Sequence, residues 1–307
     1  MSDNPSLQDL LETQEYFGLP SPALVEKDWY VVKALAAIVA VDVAPFRLVF
    51  GGGTALSKAH RLIHRMSEDI DLKIIADTTP GRSEFRALRE TITTALHDAG
   101  FEFDSDNKSQ RDSANASRYT IYRLPYVQVT SGEGVLRPEI QIETAFWPLR
   151  LTSESLAVAS FIAEAFKRPA EIPAISCVSI TETAAEKFVA LTRRAGAEFA
   201  NAGGPRDATL VRHIYDLHML SQHFDAAKVV QLAQQIMVAD AAEFGHQFPG
   251  YRDDPISETI RAVEGMAENL EFASRYDAFL RDMVYGVKPG FEDAVATTVM
   301  IADKLKN

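Results

Sequence analysis

Phe50-Gly51-Gly52-Gly53-Thr54-Ala55-Leu56, running on through SKAHRLIHRMSE to Asp69-Ile70-Asp71-Leu72, is the stretch that decides how this chain is read. Before it, Arg47–Phe50 (RLVF) is a short apolar strand. The three glycines end that strand in a turn. TALSKAHRLIHR (54–65) has helical spacing. SEDIDLKII (67–75) alternates, which places Ile70, Leu72 and Ile74 on one strand face and Asp69, Asp71 and Lys73 on the other.

Residues two apart on a strand face the same way, with Cα atoms about 6.5–7 Å apart. Two carboxylates so placed repel each other unless a cation lies between them. Mg²⁺ prefers oxygen ligands, and the phosphates of an NTP supply the rest of its shell. A pair of such ions holds both the attacking and the leaving oxygen of an in-line displacement. Glycines lacking side chains let backbone N–H groups approach phosphate oxygens, and a helix N-terminus favours an anion. A triple glycine or a D-x-D taken alone is an ordinary turn or a solvated strand face. The combination, with a helix between, is far more specific.

Outward from this stretch, the first forty residues read as helical, with ALVEKDWYVVKALAAIVAV (23–41) spaced at three and four. Downstream, SEFRALRETITTALHDAG (83–100) is a helix stopped by Gly100. Turn-rich residues 104–117 follow, then a strand RYTIYRLPY (118–126), a turn at SGEG (131–134) and an alternating strand RPEIQIETAFW (137–147). That last strand groups Glu139, Gln141 and Glu143 against Ile140 and Ile142. This order implies a mixed sheet covered by helices. From about residue 151 the chain reads as helical. One helix is TETAAEKFVALTRRAG, with Thr181 or Thr183 as cap and Gly196 as stop; 200–207 form a loop, and helices over 208–223, 226–244, 256–284 and 291–306 follow. The expected division is an α/β lobe over 1–150 and a helical lobe over 151–307.

The chain has 307 residues, 47% hydrophobic and 24% charged, as expected of a soluble globular protein of two lobes. No apolar run reaches the roughly 18 residues of a membrane helix, and the N-terminus does not read as a signal peptide. The single cysteine, Cys177, sits in an apolar run as a packing residue and suits a reducing cytoplasm. The net charge of −12 argues against sequence-blind coating of nucleic acid but allows a local basic patch. His60 and His64 have helical zinc spacing but no accompanying HExxH or cysteine cluster. Phe146, Trp147 and Tyr215 read as core.

Hydrophobic-Gly-Gly, a helix, then Asp-hydrophobic-Asp resembles the DNA polymerase beta-like nucleotidyltransferases. The closer resemblance is to the AbiEii/AbiGii-type nucleotidyltransferase toxins, whose pattern runs GGTAL, a gap, then R-x-S-x-D-I-D-L. Here these are Gly52–Leu56, then Arg65, Ser67, Asp69, Ile70, Asp71 and Leu72. VEKDWYVVKAL (25–35) is similar to the family's N-terminal helix. EKFVALTRR resembles its K-x-x-A-L-x-x-R helix through Lys187, Ala190, Leu191 and Arg193 or Arg194. RHIYDL (212–217) resembles its final motif, with His213 where an acidic residue is frequent, so that Asp216 alone carries over. The resemblance spans roughly residues 25–220.

It implies an α+β fold, a nucleotidyltransferase-type mixed sheet with flanking helices followed by a helical lobe. It implies Mg²⁺ (or Mn²⁺) on Asp69 and Asp71, and an NTP substrate held by Gly52, Gly53 and Thr54 with Ser67 and Lys58 assisting. Lys187 and Asp216 would close the site from the helical lobe, Lys187 neutralising triphosphate charge and Asp216 orienting Lys187 or the nucleotide. Glu143, with Glu139 second, would be a third carboxylate and base. RNA, at the tRNA acceptor end, is the expected acceptor, with basic groups Lys58, Arg61 and Arg65, and Arg193, Arg194, Arg206 and Arg212, gathered to receive it. A separate antitoxin protein is the expected partner, in the cytoplasm and with no membrane. The alternatives are an antibiotic or protein acceptor, or a non-catalytic NTP-binding or protein-interaction module of the same fold.

Overall fold

The computed structural model describes residues 4–130, 136–201, 206–246 and 248–306. The turn expected at SGEG and part of the loop expected at 200–207 lie outside them. The chain divides into two compact units, 1–61 with 66–178, and 62–65 with 179–307.

The first unit carries a seven-stranded mixed sheet in the order β3-β4-β5-β2-β1-β7-β6. The strands are β1 (Phe46–Gly51), β2 (Asp69–Ala76), β3 (Arg111–Ala114), β4 (Tyr119–Pro125), β5 (Glu139–Phe146), β6 (Glu154–Val158) and β7 (Ile172–Cys177). At its centre β2 pairs antiparallel with β1 and parallel with β5. The alternation of β2 and β5 sets their facing. Ile70, Leu72, Ile74, Ile140 and Ile142 are buried, while Asp69, Asp71, Gln141 and Glu143 are half-buried on the opposite face.

Among the described residues the α-helices of this unit are α1 (Leu7–Phe17), α2 (Pro22–Val39), α3 (Gly52–Lys58), α4 (Arg82–Asp98) and α5 (Phe161–Ala165). α2 starts where Ser21 caps it and Pro22 takes the first position, where a missing N–H costs nothing. α4 buries Phe85, Leu88, Ile92, Ala95 and Leu96, a stripe at helical spacing. Gly100, at φ +83°, follows its end as expected.

Three expectations are corrected here. Residues after 150 do not turn directly helical: β6 and β7 extend the sheet, so the division expected at 150 falls after Val178. Parallel pairing of Phe50 with Cys177 continues the sheet outward from β1, and the Phe50 carbonyl accepts from the Val178 amide. The short strand β3 lies inside the stretch read as turns. The helix expected over 54–65 stops at Lys58. Arg61 takes a left-handed φ of 58°, and residues 62–65 leave as extended chain to join the second unit. There the His64 carbonyl accepts from the Tyr285 and Gly286 amides, and Arg65 bridges Val284.

The second unit is built of helices α6 (Ile180–Ala200), α7 (Arg212–Leu220), α8 (Ala226–Phe244), α9 (Pro249–Asp253), α10 (Pro255–Ala267), α11 (Leu270–Met283) and α12 (Phe291–Leu305). α6 packs on α7, α8 and α10, and α12 packs on α7, α8 and α10. Ser179, not a threonine, caps α6. Gly196 does not stop α6. It lies within the helix where a Cβ would come 2.8 Å from the Phe248 ring, so it permits close packing. The helix expected over 256–284 is broken at Asn269, whose side chain accepts from the amides of Glu271 and Phe272 and restarts the chain as α11. Among the described residues no helix is long and apolar enough to cross a membrane.

Candidate functional site

The acidic face of the sheet follows from register. Asp71 lies opposite Gly51 on β1 and beside Glu143 on β5, and Asp69 lies beside Gln141. Neighbouring strands run about 4.8 Å apart, so Asp69, Asp71 and Glu143 share one small area of one face. Gly52 follows Gly51 at φ +69°, a conformation that L side chains rarely adopt. A Cβ there would collide with the Asp71 carboxylate, meeting its Cγ at 2.7 Å. The glycine turn therefore brings backbone directly against the second aspartate.

Thr54 is buried and donates to the carbonyl oxygen of Asp69, and its Oγ1 lies 3.0 Å from Ser67 Oγ. These hydroxyls fasten α3 to the start of β2. Glu143 is held by two donors: Tyr119 Oη donates to Oε2 at 3.1 Å and Gln141 Nε2 to Oε1 at 2.8 Å. Burial and the Glu143 charge push the Tyr119 phenol up, which keeps it a donor. Arg137 Nη2 reaches Asp69 Oδ1 at 2.5 Å.

Lys58 is not presented as a free cation beside the glycines. It is buried, its Nζ lies 2.8 Å from Asp28 Oδ1, and it sits 3.8 Å from the centre of the Phe161 ring. Asp28 also accepts from the Phe161 amide at 2.7 Å. Burial raises the Asp28 carboxyl despite Lys58. This pair ties α2 to α3 and α5 inside the first unit. The fit of a lysine to an apolar site is bought with an anion of its own. His60 Nε2 lies 2.9 Å from the Val178 carbonyl. With the helix ending at Lys58, the zinc spacing of His60 and His64 does not arise.

In the second unit, Lys187 on α6 and Asp216 on α7 meet. Lys187 Nζ lies 2.7 Å from Asp216 Oδ2. Arg65 approaches the same carboxylate with Nε 2.7 Å from Oδ1 and Nη2 2.7 Å from Oδ2. All three side chains are buried, and Asp216 is fully so. Burial alone would raise the Asp216 carboxyl, but the Arg65 guanidinium and Lys187 ammonium outweigh it and hold it well below the usual carboxylate range. His213, one turn earlier on α7, is kept neutral by burial and the nearby Lys187 charge, and its Nδ1 has no hydrogen-bond partner among the described residues.

The basic groups expected to gather for RNA are largely matched to acids. Arg61 pairs with Glu164, Arg65 with Asp216, Arg193 with Asp240, Arg194 with Asp207 and Arg206 with Glu271. Of the three aromatics expected in the core, Tyr215 is buried, Phe146 half-buried, and Trp147 36% exposed. Cys177 is buried, and burial pushes its thiol up to about 12, as suits a packing residue.

Arg137 was not singled out by the sequence reading, although it shares the parity of Glu139, Gln141 and Glu143 along the strand sequence. Tyr119 likewise gave no signal until pairing of β4 with β5 placed it near Glu143. Arg65 was expected as a letter of the R-x-S-x-D-I-D-L pattern and as part of a basic group, and its burial against Asp216 gave no signal in the sequence.

The sequence model of the family described as nucleotidyl transferase AbiEii toxin, type IV TA system, matches residues 33–297. Among solved structures, MenT4, a nucleotidyltransferase toxin from Mycobacterium tuberculosis, is similar in fold at 17% identity, with a TM-score of 0.52 over 97% of this chain and 90% of that one. An antigenic nucleotidyltransferase-like protein from Paracoccidioides brasiliensis aligns at 17% identity over 71% of this chain and 92% of that one. Its TM-score of 0.35 carries no argument. No curated protein matches in sequence. With a match over most of its length, a mixed sheet flanked by helices and the GGTAL and DID elements set against each other, the chain belongs to the AbiEii family of nucleotidyltransferase toxins.

Proposed function

We propose that this toxin-family nucleotidyltransferase moves an NMP from an NTP to RNA, with Asp69 and Asp71 as the residues that hold Mg²⁺ or Mn²⁺. The observation that carries this reading is the placement of Gly52 against the Asp71 carboxylate, on the sheet face that also bears Asp69 and Glu143. The donor set fits a hard divalent cation, being oxygen only and concentrated on one small area. The two aspartates would share the ion with substrate oxygens. When bound, the ion supplies Lewis-acid stabilisation of the phosphoryl oxygens.

The protein's own residues do the remainder. Backbone amides of Gly52 and Gly53 approach the phosphates closely because no side chain intervenes. Thr54 and Ser67 hold the turn that aims them. Glu143, kept in place by Tyr119 and Gln141, takes the proton from the acceptor hydroxyl as it attacks the α-phosphorus. Pyrophosphate then leaves.

RNA is the acceptor class we infer, and Arg206 supports it. Its pair with Glu271 is 3.4 Å long and well exposed, so a phosphate can displace it at little cost. Membership in a toxin family of type IV toxin–antitoxin systems implies an antitoxin partner. The test is incubation with each α-labelled NTP, Mg²⁺ and either total RNA or total protein. Label in RNA supports the reading; label only in protein or in a small molecule replaces the acceptor.

A further inference from the structure

Arg137 is anchored in an unusual way for a residue with a half-exposed head. Its carbonyl accepts from the Lys27 ammonium at 2.6 Å, and its amide donates to Glu68 Oε2 at 3.2 Å. Lys27 is buried, donates also to the Glu139 carbonyl and pairs with Glu68 at 3.0 Å. The backbone of Arg137 is thus pinned from both sides by a buried ion pair. Its guanidinium is 43% exposed and spans from Asp69 Oδ1, at 2.5 Å, to Gln141 Oε1, at 3.0 Å. Its Nε also faces Glu68 Oε2 at 3.9 Å, so a fixed base carries a half-exposed head among several acceptors, which can exchange partners without moving the strand.

Asp69 is one of the two carboxylates assigned above to the metal. A guanidinium and a divalent cation on one carboxylate repel each other and compete for its charge, so a cation that takes Asp69 Oδ1 works against the Arg137 head seated there. We infer that Arg137 is the resident counter-ion of Asp69, displaced when the divalent cation binds and then passed to the phosphates of the metal-bound nucleotide. Arg137 is a positioning residue in the free protein and a substrate-binding residue in the loaded one. The exchange keeps charge matched at each stage: the cation displaces one positive head, and the polyanion that follows receives it. Arginine suits both states, since its planar fork matches carboxylate and phosphate alike.

This inference rests on the metal reading proposed above, and its test separates the two. Binding of Mn²⁺ alone, without nucleotide, is measured by electron paramagnetic resonance on the full chain for wild type, Arg137→Gln, Arg137→Lys, Asp69→Asn and Arg123→Gln. Arg123, on β4, donates to the Ser109 carbonyl at 3.3 Å and controls for loss of a positive charge near the same strands. Arg137→Gln is expected to bind Mn²⁺ about three- to tenfold more tightly than wild type, because its competitor is gone. Arg137→Lys should stay closer to wild type. A non-hydrolysable NTP with Mn²⁺ should bind Arg137→Gln several-fold more weakly. Equal Mn²⁺ affinity in Arg137→Gln and wild type overturns the exchange while leaving the metal site standing. An equal gain in Arg123→Gln does so too, by reducing the effect to bulk charge. If Asp69→Asn binds Mn²⁺ as wild type does, the metal reading fails and takes this inference with it.

Discussion

Replacing Asp216 by Asn tests the ion triad of the second unit. The substitution keeps size and shape but leaves Arg65 and Lys187 buried with no anion. The carboxylate accepts two hydrogen bonds from Arg65 and one contact from Lys187, each at 2.7 Å. An amide offers one acceptor oxygen and turns an N–H₂ toward a cation. Removing one partner of a buried pair costs roughly 3–5 kcal/mol, most of it the penalty of the charge left behind. The full value is expected because Asp216 is fully buried. Lys187→Met leaves the bidentate Arg65 pair intact and should cost less, about 1–2 kcal/mol. Arg65→Met with Lys187→Met and Asp216→Leu removes all three charges together and should regain much of the loss. Denaturant unfolding followed by circular dichroism measures each. An Asp216→Asn protein within about 1 kcal/mol of wild type would falsify the claim that the triad is a dry, mutually dependent unit.

Other outcomes follow from the same contacts. Because the folded Asp216 carboxyl is held below its unfolded value of about 3.9, its stabilisation is complete above that value and is lost as pH falls through it and below. Wild type should therefore lose stability between about pH 5 and pH 2 faster than Asp216→Asn does, and acid titration of unfolding checks this. Gly52→Ala should cut transfer at least tenfold while folding persists, since its Cβ displaces Asp71; unchanged kcat would show that the close approach is incidental. Glu143→Gln should lower kcat by roughly 10²–10⁴ with Mn²⁺ affinity unchanged, and a loss of metal affinity instead would make Glu143 a ligand rather than a base.

The sheet of the first unit is written locally in the sequence. Alternation fixed the facing of β2 and β5, and the glycines marked the turn, because a strand's period and a glycine's missing Cβ act over a few residues. The helix expected through Arg65 failed for a non-local reason. Its apolar spacing is real, but residues 62–65 gain more as extended chain, with Arg65 buried against Asp216 far along the sequence. Lys58 misled similarly, since its spacing beside the glycines said nothing of Asp28, thirty residues earlier. β6 and β7 were missed because they are short and sit at one edge of the sheet, where alternation is weak. Arg137 needed the sheet register before its reach to Asp69 could be seen.

Label transfer from an α-labelled NTP by Asp71→Asn beside wild type, both verified as folded, tests whether Asp69 and Asp71 carry the transfer chemistry. Wild type with Mg²⁺ should give a labelled acceptor, and Asp71→Asn should lose at least about 10³-fold, since the removed charge is the one that Gly52 is built against. Transfer by Asp71→Asn at the wild-type rate would contradict this assignment and move the chemistry away from this sheet face.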